Sequence, residues 1–174
     1  MSEQPGRYQR SAAGMIGAML VLLAVVAAFV VLRDVNRTQP ESSVRTVQYE
    51  QALGFAREQA DFPLVAPDSL PAGWRATSAE FVPEPGRWHL GLLTDEDRYV
   101  GLEQSRRPVE KMIETYVDPE AVRGREVAVG GEPWRTWTDG AGDTALVRVE
   151  DGVTTLVVGT PELDVLVDFV ETLR

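Results

Sequence analysis

The sequence predicts an α+β fold: an N-terminal transmembrane helix, then a mostly antiparallel β-sheet domain with helices packed on one of its faces. Three observations predict it. Residues 11–32 (SAAGMIGAMLVLLAVVAAFVVL) contain no charged side chain. Short alternating segments beyond residue 70 are separated by two-residue turn signals, which pair consecutive strands as hairpins. Three stretches with helical spacing of apolar residues interrupt or flank those strands, an order that gives α+β rather than α/β.

In chain order, residues 1–10 are a short tail carrying Arg7 and Arg10. As a helix, residues 11–32 would rise about 33 Å, near the hydrocarbon thickness of a bilayer. The run is longer than the apolar core of a secretory signal, so an uncleaved anchor is expected; Val25–Ala28 is the one stretch resembling a cleavage site. Arg33 and Arg37 nearly balance Arg7 and Arg10, so flanking charge does not orient the span. Chain order does: a short tail stays in the cytoplasm, and the long domain is translocated.

Residues 33–43 are polar and read as a juxtamembrane linker, leaving 44–174 as the extracytoplasmic domain. Tyr49, Leu53, Ala56 and Ala60 predict an amphipathic helix within Val44–Ala60. Pro63, Pro67 and Pro71 then force an extended, turning path. Strands follow at Trp74–Val82, Arg87–Leu93 and Arg98–Gln104, turning at Pro83–Gly86 and Thr94–Asp97. A helix over Pro108–Val117 aligns Val109, Met112, Ile113 and Tyr116 on one side.

Gly130-Gly131 joins strands Arg125–Val129 and Glu132–Thr138, and Asp151-Gly152 joins Thr144–Glu150 and Val153–Val158. Asp139–Asp143 is the longer loop between these hairpins. The closing helix is predicted to be capped by Thr160 with Pro161 at its first position, burying Leu163, Leu166, Val167, Val170 and Leu173.

Composition excludes several functions. Of 17 basic and 27 acidic residues, four and two lie in the first 37, leaving 13 against 25 and a net charge of −12 beyond. So acidic a domain is repelled by nucleic acid. With no cysteine, the chain has neither disulfides nor a lipid-modified cysteine. No spacing of ligating residues predicts a metal, and no motif predicts a cofactor.

The only histidine, His89, lies on a predicted strand with Gly91 and Leu93 on its face and Trp88, Leu90 and Leu92 on the other. It lacks, in sequence, the neighbours that a general base requires, so it is expected to be structural and no catalytic residue is assigned. Asp95–Asp97 reads as a solvated turn. Ser105-Arg106-Arg107 precedes a helix in an otherwise acidic domain. Together with Trp88 and His89 it forms the candidate contact set for a small anionic ligand; the alternative is that both arginines pair with acids such as Glu103 and Glu110.

Leu70-Pro71-Ala72-Gly73-Trp74, Trp88-His89-Leu90-Gly91 and Tyr99-Val100-Gly101-Leu102-Glu103-Gln104-Ser105 carry a resemblance to an actinobacterial membrane-anchored family, domain of unknown function 4245. The resemblance extends over nearly the whole chain. It implies a cytoplasmic tail, one span and an outer domain, and brings no activity with it. The resulting expectation is a single-pass envelope protein whose domain binds or scaffolds an envelope protein or small ligand, without catalysis. The rivals are an enzyme using His89 with carboxylates gathered by the fold, and a small-molecule or lipid carrier with a cavity between sheet and helices.

Overall fold

Successive hairpins build a single seven-stranded sheet in which every neighbouring pair is antiparallel. The structure is a computed structural model that describes residues 46–174, together with Met19, Leu22 and Val26. The predicted span 11–32 lies outside the described residues except for those three. Among the described residues no helix is long and apolar enough to cross a membrane. Val44–Arg174 forms one compact unit.

The elements are α1 (Tyr49–Gln59), β1 (Arg75–Val82), β2 (Arg87–Leu93), β3 (Tyr99–Ser105), α2 (Val109–Tyr116), β4 (Val122–Val129), β5 (Glu132–Thr138), β6 (Thr144–Glu150), β7 (Val153–Gly159) and α3 (Leu163–Glu171). Strand order is β1-β2-β3-β7-β6-β5-β4. The chain thus makes two meanders, β1–β3 and β4–β7, joined where β3 meets β7, with α2 carrying the chain from one to the other.

The turns form where backbone chemistry demands them. Gly130 and Gly131 have φ of 60° and 86°, and Asp151 and Gly152 have 49° and 74°. Two consecutive positive φ values match the right-handed twist of a two-residue hairpin.

Each side of the sheet is packed differently. Trp88, Leu90 and Leu92 of β2, Val100 and Leu102 of β3, Leu146 of β6 and Val157 of β7 point to one side. There they meet Tyr49, Leu53 and Ala56 of α1 and Leu166, Phe169 and Val170 of α3. Full burial of each large apolar side chain contributes roughly 1.5–3 kcal/mol. Trp74 stacks on Phe169 with ring centroids 5.4 Å apart.

On the opposite side, Met112 and Ile113 of α2 cover Ala145, Val147, Leu156 and Val158. The helices therefore occupy both faces, not one. A strand between two helical layers is apolar on both sides, as the nearly unbroken apolar run of β7 shows.

Several boundaries differ from expectation for identifiable reasons. The first helix starts at Tyr49 rather than Val44, because Val47 N–H donates to the carbonyl of Ala76 (2.9 Å) and ties the preceding backbone to the sheet edge. Thr160 is not a helix cap. Its N–H extends the sheet's hydrogen bonding to the carbonyl of Tyr99 (3.1 Å), so α3 begins at Leu163 with Glu162 before it. Phe169 joins the buried side of that helix, while Leu163, Val167 and Leu173 are only partly buried.

Candidate functional site

The strand face left open beside α2 gathers the chain's most unusual side chains. Hairpin register places His89 opposite Glu103 on β3 and opposite Glu80 on β1, with Gly91 opposite both Gly101 and Ser78. Ser78, His89 and Glu103 therefore share one face on three adjacent strands. Their side chains connect in sequence: Ser78 Oγ lies 2.7 Å from His89 Nε2, and His89 Nδ1 bonds Glu103 Oε1.

The direction of these bonds follows the protonation state of the ring. With Glu103 as a carboxylate and a neutral imidazole, Nδ1–H donates to Glu103 and Nε2 accepts from the hydroxyl of Ser78. Hydroxyl, imidazole and carboxylate thus stand in a hydrogen-bonded row, the order in which a serine nucleophile, its base and an orienting group stand where such groups act together.

Glycine makes the approach possible. A Cβ at Gly91 would stand 2.4 Å from Ser78 Oγ and 3.2 Å from His89 Nε2, so any larger residue would part the two. A Cβ at Gly101 would stand 2.7 Å from the hydroxyl of Tyr99, whose ring end lies over that glycine. Burial, with the charge of Glu103 second, raises the pKa of the Tyr99 phenol, which keeps it a donor. The site thus has a tyrosine hydroxyl over the glycine paired with the one beneath Ser78.

Burial grades across the cluster. The Glu103 side chain is only 3% exposed, His89 is 18% exposed, and Ser78 is partly buried. Glu103 Oε2 is fully enclosed and has no hydrogen-bond partner among the described residues. Buried carboxylate oxygens are rarely left this way, because desolvation is then uncompensated.

The contact set expected from sequence is divided by the sheet. Trp88 points to the opposite side from His89, fully buried, with its indole N–H donating to the carbonyl of Val65 (3.2 Å). Ser105 is also buried, and its Oγ accepts from Arg107 N–H (3.3 Å). Arg106 pairs with Asp61 rather than with Glu103 or Glu110: Nε reaches Asp61 Oδ2 at 3.1 Å, and the guanidinium lies 5.6 Å from the Phe62 ring centroid. In the Asp95–Asp97 turn, Asp97 pairs with Arg75 and Glu96 with Arg98 at 3.6 Å.

A second feature lies on the α3 side. Gln104 accepts from Val65 N–H (2.7 Å) and donates to Thr155 Oγ1 (3.1 Å), holding the 62–66 strap against the sheet. Beside it opens a cleft of about 260 Å³ between the sheet and α3, with Val129, Trp134, Val153, Val170 and Leu173 in its walls. Arg148, Glu150 and Arg174 are also among its lining residues. A larger groove of about 470 Å³ runs beside α2 over Trp137 and Val147. Arginines and glutamates among its lining residues already pair with one another, as Arg135 does with Glu126 at 2.9 Å.

Comparison with known proteins gives one match. Residues 7–173 fit the family described as protein of unknown function DUF4245. No curated protein and no solved structure matches the chain. With nearly its full length covered by that match, the chain belongs to the DUF4245 family.

Proposed function

We propose that the protein is a single-pass envelope protein, anchored through residues 11–32, whose 44–174 domain lies outside the cytoplasmic membrane and binds a small, mainly apolar ligand. The observation that carries this reading is the cleft between the sheet and α3. Val129, Trp134, Val153, Val170 and Leu173 supply apolar lining, and Glu132, Arg148, Glu150, Asp151, Glu171 and Arg174 supply charges. Apolar contact for affinity beside polar groups for orientation is the pattern of small-molecule sites. The volume of about 260 Å³ limits the occupant to a small molecule or one end of a longer one.

This favours the carrier form of a binding module over a scaffold for an envelope protein. A flat interaction surface would need no cleft between sheet and helix. The net charge of −12 beyond residue 37 opposes any role on nucleic acid.

Native mass spectrometry of the full chain, extracted in mild detergent, tests the proposal. The wild type should retain a small molecule, and Leu173→Trp, which adds an indole at a partly buried position of the cleft wall, should lose it. An empty wild type that also fails to quench Trp134 fluorescence with medium-chain fatty acids or their esters would remove the reading.

A further inference from the structure

We infer that Ser78 is a nucleophile activated by His89, with Glu103 as the positioning residue, and that the open sheet face beside α2 carries out acyl transfer from small esters to water. This activity is independent of the cleft, which lies on the other side of the sheet.

The geometry meets the requirements of such a relay one by one. The nucleophile and base are in contact at 2.7 Å, on the nitrogen that faces the hydroxyl. The base is held from its other nitrogen by a carboxylate. That carboxylate is withdrawn from solvent while the base and nucleophile remain partly open, so a substrate can reach Oγ but water does not solvate the orienting group.

Among the described residues the His89 ring is the one hydrogen-bond donor to the Glu103 carboxylate. A buried carboxylate held by the ring alone is placed to stabilise an imidazolium when one forms. Glycine at 91 belongs to the same design, since any Cβ there would collide with the reacting hydroxyl.

In the reaction, the Ser78 Oγ lone pair attacks the ester carbonyl carbon while its proton passes to Nε2, and the carbonyl π pair moves onto oxygen. The Tyr99 hydroxyl, over the adjoining Gly101, is the donor placed near that oxygen. Collapse of the intermediate breaks the bond to the leaving alkoxide, which takes the proton from Nε2. A water molecule, deprotonated by the same nitrogen, then attacks the acyl carbon; the acyl–Oγ bond breaks, Oγ takes the proton back from Nε2, and the carboxylic acid leaves. One hydroxyl is a weaker oxyanion site than paired backbone N–H groups, which suits esters with good leaving groups rather than amides.

The test is phosphonylation of the full-length protein in detergent by an alkyl fluorophosphonate, read by intact mass and peptide mapping. The inference expects one adduct on Ser78, none in Ser78→Ala. Because His89 is the only histidine in the chain, diethyl pyrocarbonate should slow adduct formation roughly 100-fold or more, the usual contribution of a general base, and hydroxylamine should restore it. Glu103→Gln should lower the rate at saturating probe and leave the half-saturating concentration unchanged, a split that loss of folded protein would not produce. Absence of an adduct on Ser78 in the wild type, or labelling indifferent to diethyl pyrocarbonate, would overturn the inference. These results do not depend on any variant folding, and they differ from the failure of the cleft to bind.

Discussion

Replacing His89 by alanine should destabilise the domain far more than replacing Glu103 by glutamine. The His89 ring is the one hydrogen-bond partner that the Glu103 carboxylate has among the described residues, and that side chain is 3% exposed. Removing the ring leaves an enclosed carboxylate without a donor, a change that costs about 3–5 kcal/mol. Glu103→Gln keeps the size of the side chain and an oxygen able to accept from Nδ1–H. It should therefore cost only about 1 kcal/mol.

In the Glu103→Gln background, His89→Ala should lose most of its effect, with a coupling of roughly 2 kcal/mol or more between the two positions. For a domain of this size each kcal/mol lowers Tm by roughly 4 °C, so the single His89→Ala variant should melt about 10–20 °C below wild type. Thermal melts and urea titrations followed by tryptophan fluorescence would measure both quantities. A loss below about 1 kcal/mol for His89→Ala, or strict additivity in the cycle, would refute the claim that Glu103 is buried against His89.

Two further outcomes follow from single contacts. Gly159→Ala places a Cβ 2.6 Å from the Tyr99 carbonyl and 3.0 Å from Pro161, so backbone must move, and urea unfolding should register a loss of about 1–3 kcal/mol. Tyr49 and Tyr99 are both held above the ordinary phenol pKa by burial first and neighbouring carboxylates second. Their folded state resists the charged form, so this contribution to stability is intact below the ordinary value near pH 10 and is lost as pH rises through the raised one. Phenolate absorbance should therefore show Tyr49 and Tyr99 ionising above the ordinary phenol range, and Tyr99→Phe should remove one late-titrating group.

How much of this was legible in the sequence varies with the range of the interaction. Arg87–Leu93, Glu132–Thr138 and Thr144–Glu150 are strands over the spans their turn residues predict, because proline and positive-φ positions punctuate the chain locally. Helix ends were misplaced where a backbone N–H chose a distant strand carbonyl, as at Val47 and Thr160. The second helical layer was not visible, since an amphipathic stripe on α2 says that a face is buried but not against which side of the sheet.

The hydrogen-bonded row of Ser78, His89 and Glu103 is the instructive case, since sequence names His89 but neither of its partners. His89 looks isolated in sequence because its neighbours are 11 and 14 residues away. A usable signal was nonetheless present in hairpin register. Pairing outward from the turn at Pro83–Gly86 sets Val82 against Arg87 and brings Ser78 opposite Gly91, next to His89. Pairing outward from the Thr94–Arg98 turn sets Leu93 against Tyr99 and brings Glu103 opposite His89. Assigning residues to faces without pairing the strands conceals both neighbours. For Arg106, a candidate anion contact, sequence offers only the nearby Glu103 and Glu110 as alternative partners, whereas Asp61, 45 residues earlier, reaches it through the fold.

Placement of the domain outside the cytoplasmic membrane underlies the whole functional account, and the chain offers a direct way to measure it. It contains no cysteine, so a single introduced thiol reports its own compartment. Ala141 lies exposed in the loop between β5 and β6, where a small substitution disturbs no packing. In intact cells, Ala141→Cys should react with a membrane-impermeant maleimide, while Ser2→Cys should react only after the membrane is opened. Labelling of Ala141→Cys only after lysis would place the domain in the cytoplasm and contradict the account.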